Sequence, residues 1–162
     1  MPPEYRIYLD VCCWNRPFDD FSQERIRLEA EAVLLIYKNF RLGIWMLLSS
    51  DIVEAELRKT PDRQRLELLM AALAIAKSKI KLDDTIKKRA AILVELGFKP
   101  FDATHIASAE AANADVFLTT DDRLLRNAQR HLGNLRTSVQ NPVYWLIAIN
   151  QNEEGSENED RY

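Results

Sequence analysis

The sequence predicts an α/β fold, a three-layer α/β/α sandwich with a mostly parallel central sheet. Three observations predict it. Short apolar segments alternate with amphipathic helical ones along the chain, the pattern of successive βα units. The short segments lack a clean polar face, as strands covered on both sides do. The chain has 162 residues, of which 47% are hydrophobic and 29% charged, enough for one covered core and ordinary for a globular protein.

The first strand is YRIYLD, residues 5–10, and QERIRLEAEAVLLIYKNF (23–40) is a long helix with apolar residues at steps of three and four. Gly43 closes the connection to a second apolar strand, IWMLLS (44–49). Ser50 or Asp51 then caps a helix that reaches Leu57. Pro61 suits the start of the next helix, RQRLELLMAALAIAK (63–77). KIKL (79–82) is a short third strand, followed by a helix from Asp83 to about Leu96 that Gly97 stops. DATHIASAEAAN (102–113) is a helix in which Ala103, Ala107 and Ala111 recur every four residues, allowing close packing. DVFLTT (115–120) is a strand, DDRLLRNAQRHL (121–132) a helix and RTSV (136–139) a weak last strand. Asn141 and Pro142 cap and begin a final helix, VYWLIAI. Residues 1–149 are expected to form a single domain.

Residues 150–162, NQNEEGSENEDRY, carry five acids and one base, a net −4 against −3 for the whole chain, which leaves residues 1–149 at +1. The tail is expected to be disordered and solubilising. No apolar stretch approaches the ~20 residues of a membrane span. MPPEYR lacks the basic-then-apolar build of a secretory signal. A cytoplasmic location is therefore expected. Cys12 and Cys13 are adjacent, so they point apart and offer no disulfide framework. With His105 and His131 distant from them, no zinc pattern forms. The cysteines read as small packing residues.

In open parallel sheets the working crevice lies beyond the carboxyl ends of the strands. Those positions are mostly acidic here: Asp10 after strand one, Asp51, Glu54 and Glu56 after strand two, Asp102 opening the small-residue helix, and Asp121 and Asp122 after VFLTT. Each acid alone is accounted for by helix capping and the helix dipole. Together they gain meaning, because right-handed crossovers bring parallel strand ends to one edge, where carboxylates repel and call for a cation. Oxygen-only ligands favour Mg²⁺ or Mn²⁺, which meets its substrate through phosphate oxygens and activates water without a protein nucleophile. No G-x-x-x-x-G-K-[ST], G-x-G-x-x-G or G-x-S-x-G motif is present.

The stretches IYLD, LSSDIVEAEL (48–57) and FDATHIASAEAANADVFLTTDDRLL (101–125), in this order and spacing, resemble the PIN-domain family of metal-dependent ribonucleases. The family includes toxins of toxin–antitoxin pairs. The resemblance implies an endoribonuclease whose Asp10, Glu56, Asp102 and Asp121 surround Mg²⁺ or Mn²⁺, with single-stranded or loop RNA as substrate. It also makes an antitoxin partner and a homodimer expected. Glu54 competes with Glu56; Glu56 is preferred because Ile52 and Val53, four and three residues earlier, turn that face inward. Val11 stands where family members often carry a hydroxyl residue, a role Thr119 or Asn15 can take; both, with Arg123, are also candidate substrate contacts.

Arg16 is the basic residue most readily placed by substrate. Arg123, Arg126 and Arg130 form either an RNA-facing stripe or a solvated helix face. His105 is expected to serve a hydrogen-bonded packing role, and Trp45 and Trp145 to lie in the core. Two rivals remain. One is a non-catalytic RNA- or protein-binding module of the same fold. The other is a phospho-accepting receiver domain, which wants an acidic pair after strand one and a lysine after a late strand; LDVCC and LTTDD supply neither.

Overall fold

The apolar runs become five short strands that hydrogen-bond side by side. A computed structural model describes residues 4–159. The strands are β1 (Arg6–Leu9), β2 (Met46–Ser50), β3 (Ser78–Ile80), β4 (Val116–Leu118) and β5 (Ser138–Gln140). They form one sheet in the order β3-β2-β1-β4-β5, and every pairing is parallel. Tyr8 of β1 sits opposite Leu48 on one side and Phe117 on the other. Its ring stacks on Phe117 at 5.3 Å. Such strands, buried on both faces, explain why the sequence shows continuous apolar runs instead of alternation.

Among the described residues, eight α-helices cover the sheet: α1 (Val11–Asn15), α2 (Glu24–Arg41), α3 (Asp51–Leu57), α4 (Arg63–Leu73), α5 (Asp84–Glu95), α6 (Pro100–Ala111), α7 (Asp122–Arg130) and α8 (Pro142–Glu159). The α/β class and the parallel sheet predicted from the sequence are observed. The α2 helix packs against α8, and α5 packs against α6. Ala103 and Ala107 of α6 are buried with Ile106 and Ala109, whereas Ala111, the third of the expected repeat, falls at the helix end and is exposed. Trp14, Trp45 and Trp145 are also in the core, with the last two in edge contact at 5.1 Å.

Three local differences from the sequence reading have physical causes. Helix α4 ends at Leu73, short of the expected residue 77, because Lys77 N–H donates to Leu47 O and begins the pairing of β3. Helix α6 begins at Pro100, whose fixed φ suits a first helical position. Residues 150–159, expected to be disordered, continue α8; extending an existing helix needs no new nucleus, and Trp145, Leu146 and Ile149 anchor its first turns in the core. The rest of that tail, residues 160–162, lies outside the described residues.

The strand order places the site. From β1 the chain steps to β2 and β3, then crosses back to β4 and β5. The reversal opens a crevice between the carboxyl ends of β1 and β4, the topological switch point of an open α/β sheet.

Candidate active site

Asp10 ends β1 in this crevice and caps α1. It is 8% exposed, and both carboxylate oxygens are held. Val11 N–H donates to Oδ1 at 2.8 Å. The Thr119 hydroxyl, just past β4, donates to Oδ2 at 2.7 Å, and the Cys12 thiol approaches the same oxygen at 3.4 Å. The hydroxyl missing at Val11 is thus met across the crevice by Thr119, whose burial makes it a support for Asp10 and not the substrate contact expected from sequence. Cys12 also accepts from Thr120 N–H at 3.3 Å. Its part in positioning Asp10 was not legible, since adjacent cysteines read as packing.

Asp121 caps α7, its Oδ1 accepting from Arg123 N–H at 2.9 Å and Leu124 N–H at 3.2 Å. Asp102 lies in the first turn of α6. Partial burial raises its pKa to about 6, with the Asp10 and Asp121 carboxylates adding to the rise and His105 and Lys99 opposing it. Asp10 and Asp121, from distant parts of the chain, therefore both act on Asp102 at the switch point, as strand-end convergence predicts.

Glu56, on α3, is held by a chain of hydrogen bonds that runs into the core. Its Oε1 lies 2.7 Å from Nε2 of His105. A carboxylate only accepts, so that nitrogen carries the proton. Nδ1 of His105 meets the Tyr8 hydroxyl at 2.7 Å, and that hydroxyl meets Ser50 Oγ at 2.6 Å. Ser50 Oγ in turn accepts from Val53 N–H and caps α3. Burial, reinforced by the Asp10 and Glu56 charges, pushes the Tyr8 phenol well above its usual range. Glu54 faces elsewhere, paired with Lys79 and with Arg58 at 2.7 Å; these cations hold its carboxyl below the usual range.

The remaining sequence candidates separate clearly. Arg16 does not stand open to substrate: its guanidinium binds Glu29 at 3.0 Å and Asp19 at 2.9 Å. Asn15 donates to Val11 O within its own helix. Arg123 is exposed beside Asp102, on the wall of a cleft described below. Among the described residues, no three His, Cys, Asp or Glu side chains already form a group able to hold a metal ion. The donor chemistry at the crevice is nonetheless hard oxygen, and Mg²⁺ is commonly held by one or two carboxylates with waters completing its shell.

The raised carboxyl gives a stability prediction for metal-free protein. The folded state holds the Asp102 proton more tightly than the unfolded chain. No penalty exists below about pH 4; the cost of ionising this half-buried carboxyl beside Asp10 and Asp121 grows from there to about pH 6 and is constant above. Asp102→Asn, neutral throughout, is expected to stabilise the protein at pH 7 by about 1 kcal/mol after solvent screening of this partly exposed group. Urea melts in chelator should show the gain at pH 7 and its disappearance by pH 4. An equal gain at both pH values would remove the repulsion account.

The family model described as PIN domain matches residues 7–130. No curated protein matches the sequence. Among solved structures, the chain is similar to VapBC-1 of nontypeable Haemophilus influenzae, with 14% identity over 85% of this chain and 98% of that one and a TM-score of 0.55. It is also similar to VapBC2 of Rickettsia felis, solved with a promoter DNA fragment, with 14% identity over 84% and 98% and a TM-score of 0.51. These likenesses agree with the parallel sheet described above, and among the described residues no helix is long and apolar enough to cross a membrane. With the model spanning both the first strand and the last acid of the crevice, the chain belongs to the PIN-domain family.

Proposed function

We propose that the protein is a Mg²⁺- or Mn²⁺-dependent endoribonuclease, working at Asp10, Glu56, Asp102 and Asp121. The convergence of Asp10, Asp102 and Asp121 at the β1/β4 switch point, where Asp102 is half-buried within reach of the other two carboxylates, carries the reading. A group of carboxylates held together at an energetic cost is what a cation would relieve. When bound, Mg²⁺ or Mn²⁺ would neutralise phosphate charge and acidify a water for in-line attack.

The chain's own groups would prepare that chemistry. Asp10 is oriented by Thr119 and Val11 N–H. Glu56 is held by His105, which Tyr8 locks in place. Asp121 is fixed as a helix cap, and Asp102 would release its residual proton as the cation docks. Supports of this kind tune a metal site from outside the ligands.

The resemblance to toxin components, together with the VapBC neighbours, supports a toxin role with a cognate antitoxin; cytoplasmic action and a homodimer as the active form rest on the resemblance and the sequence alone. RNA is the proposed substrate. The test is cleavage of a labelled single-stranded RNA by purified protein, with Mn²⁺ and with chelator. Glu56→Gln is expected to lower the rate by about 10²-fold or more, the scale of several kcal/mol of lost charge stabilisation. Glu54→Gln should stay within about twofold, since its partners are Lys79 and Arg58. The reverse order would move the second ligand to Glu54. No metal-dependent cleavage by the parent protein would favour the non-catalytic binding module.

A further inference from the structure

We propose that the cleft between the α5–α6 turn and α7 is a channel for single-stranded RNA, whose phosphates are held by Lys99, Arg123, Arg126 and Arg130. The substrate class rests on the nuclease reading; the channel itself rests on the following geometry. The cleft measures about 520 Å³, and its walls include those four cations, His131 and a single carboxylate, that of Asp102. Asp102 is thus shared between the cleft and the acid site.

Helix α7 starts beside Asp121 and leads away from that site. Arg123, Arg126 and Arg130, spaced by three and four, share one face. From the first to the last the helix rises about 10 Å, comparable to roughly three phosphates at ~3.4 Å per nucleotide of a stacked strand. Lys99 faces them across the cleft and already acts on Asp102.

Four arginines elsewhere on the surface differ from these, although not every other arginine is paired. Arg16, Arg25, Arg58 and Arg89 are neutralised by carboxylates at 3.0, 2.7, 2.7 and 2.7 Å. Among the described residues, Lys99 and the three arginines of α7 form no ion pair, and all four are exposed. A net-positive groove running into an acidic pocket attracts a polyanion and delivers it to the carboxylates that would otherwise repel it. The floor, Leu96, Phe98 and Leu124, is apolar, and His131 stands against Phe98 at 5.8 Å. Cationic walls over an apolar and ring-bearing floor are the design of single-strand binders.

The test is binding of a short labelled single-stranded RNA to the full chain in chelator, across a salt series. Arg126→Gln with Arg130→Gln is expected to weaken binding several-fold. It should also reduce the slope of log affinity against log salt by about 1.4, at ~0.7 per lost phosphate contact. Arg126→Lys with Arg130→Lys should keep the slope. Lys99→Gln, off the helix, should lower it by about 0.7, which covers failure of the double variant to fold. Arg63→Gln removes one charge, as Lys99→Gln does, from an exposed site on α4 and should leave the slope unchanged. An unchanged slope in the cleft variants, equal competition by duplex RNA, or preference for an acidic peptide would overturn the channel. Cleavage with an unchanged slope sinks the channel alone. A reduced slope without cleavage sinks the nuclease reading alone.

Discussion

Replacing Asp10 with asparagine is expected to lower metal-dependent RNA cleavage on the order of 10³-fold, the rate equivalent of several kcal/mol of lost charge stabilisation. The fold should survive. Asparagine keeps the size and one carbonyl oxygen, so the contacts from Val11 N–H or Thr119 can persist. It removes one charge from the group that raises Asp102, so the metal-free protein should melt no lower than the parent. The informative measurements are single-turnover cleavage of labelled RNA, a thermal melt in chelator, and Mn²⁺ binding by calorimetry. Parent-like cleavage with clean protein would defeat the four-acid mechanism.

Glu29→Ala is expected to cost about 3 to 5 kcal/mol of stability, the range for removing one partner of a buried, hydrogen-bonded charge group. That lowers Tm by roughly 10 °C. The side chain of Glu29, on α2, is 2% exposed and accepts from three partners. Arg16 reaches it at 3.0 Å and Arg25 at 3.4 Å, and Asn141 Nδ2, just before α8, donates at 2.6 Å. Arg25 continues the tie to Asp122 at 2.7 Å and to Thr120 O at 3.2 Å. The network joins the segment after α1, the middle of α2, the entrance of α7 and the start of α8. Glu29→Gln, which keeps the size and part of the hydrogen bonding, should lose less. Loss below about 1 kcal/mol for the alanine variant in a chemical melt would show that the network is not under tension from its buried charge.

Glu29 and Arg16 also show where sequence reasoning stops. An acid in the middle of an amphipathic helix reads as exposed, and an arginine beside a strand-end acid reads as open to substrate. Their pairing spans thirteen positions and depends on how the turn after α1 folds back against α2. Asp10, Asp102 and Asp121 were legible because they follow strands or open helices, where local sequence marks their place. Glu56 was separated from Glu54 by helical phase. Its partner His105, and the Tyr8–Ser50 continuation, required the packing of α3, α6 and β1. Cys12 and Thr119 were misjudged for a related reason: one looked like filler and the other like a substrate contact, yet both converge on one carboxylate oxygen.

By itself the sequence determined the parallel α/β class, the order of nearly every element and the acids to inspect, because apolar period, caps and strand ends are local properties of the chain. The tertiary structure alone decided which carboxylates act on one another, which arginines are neutralised and which line a cleft. Those outcomes depend on distances between segments about 100 residues apart, and electrostatic interaction falls with distance in space, whatever the separation along the chain.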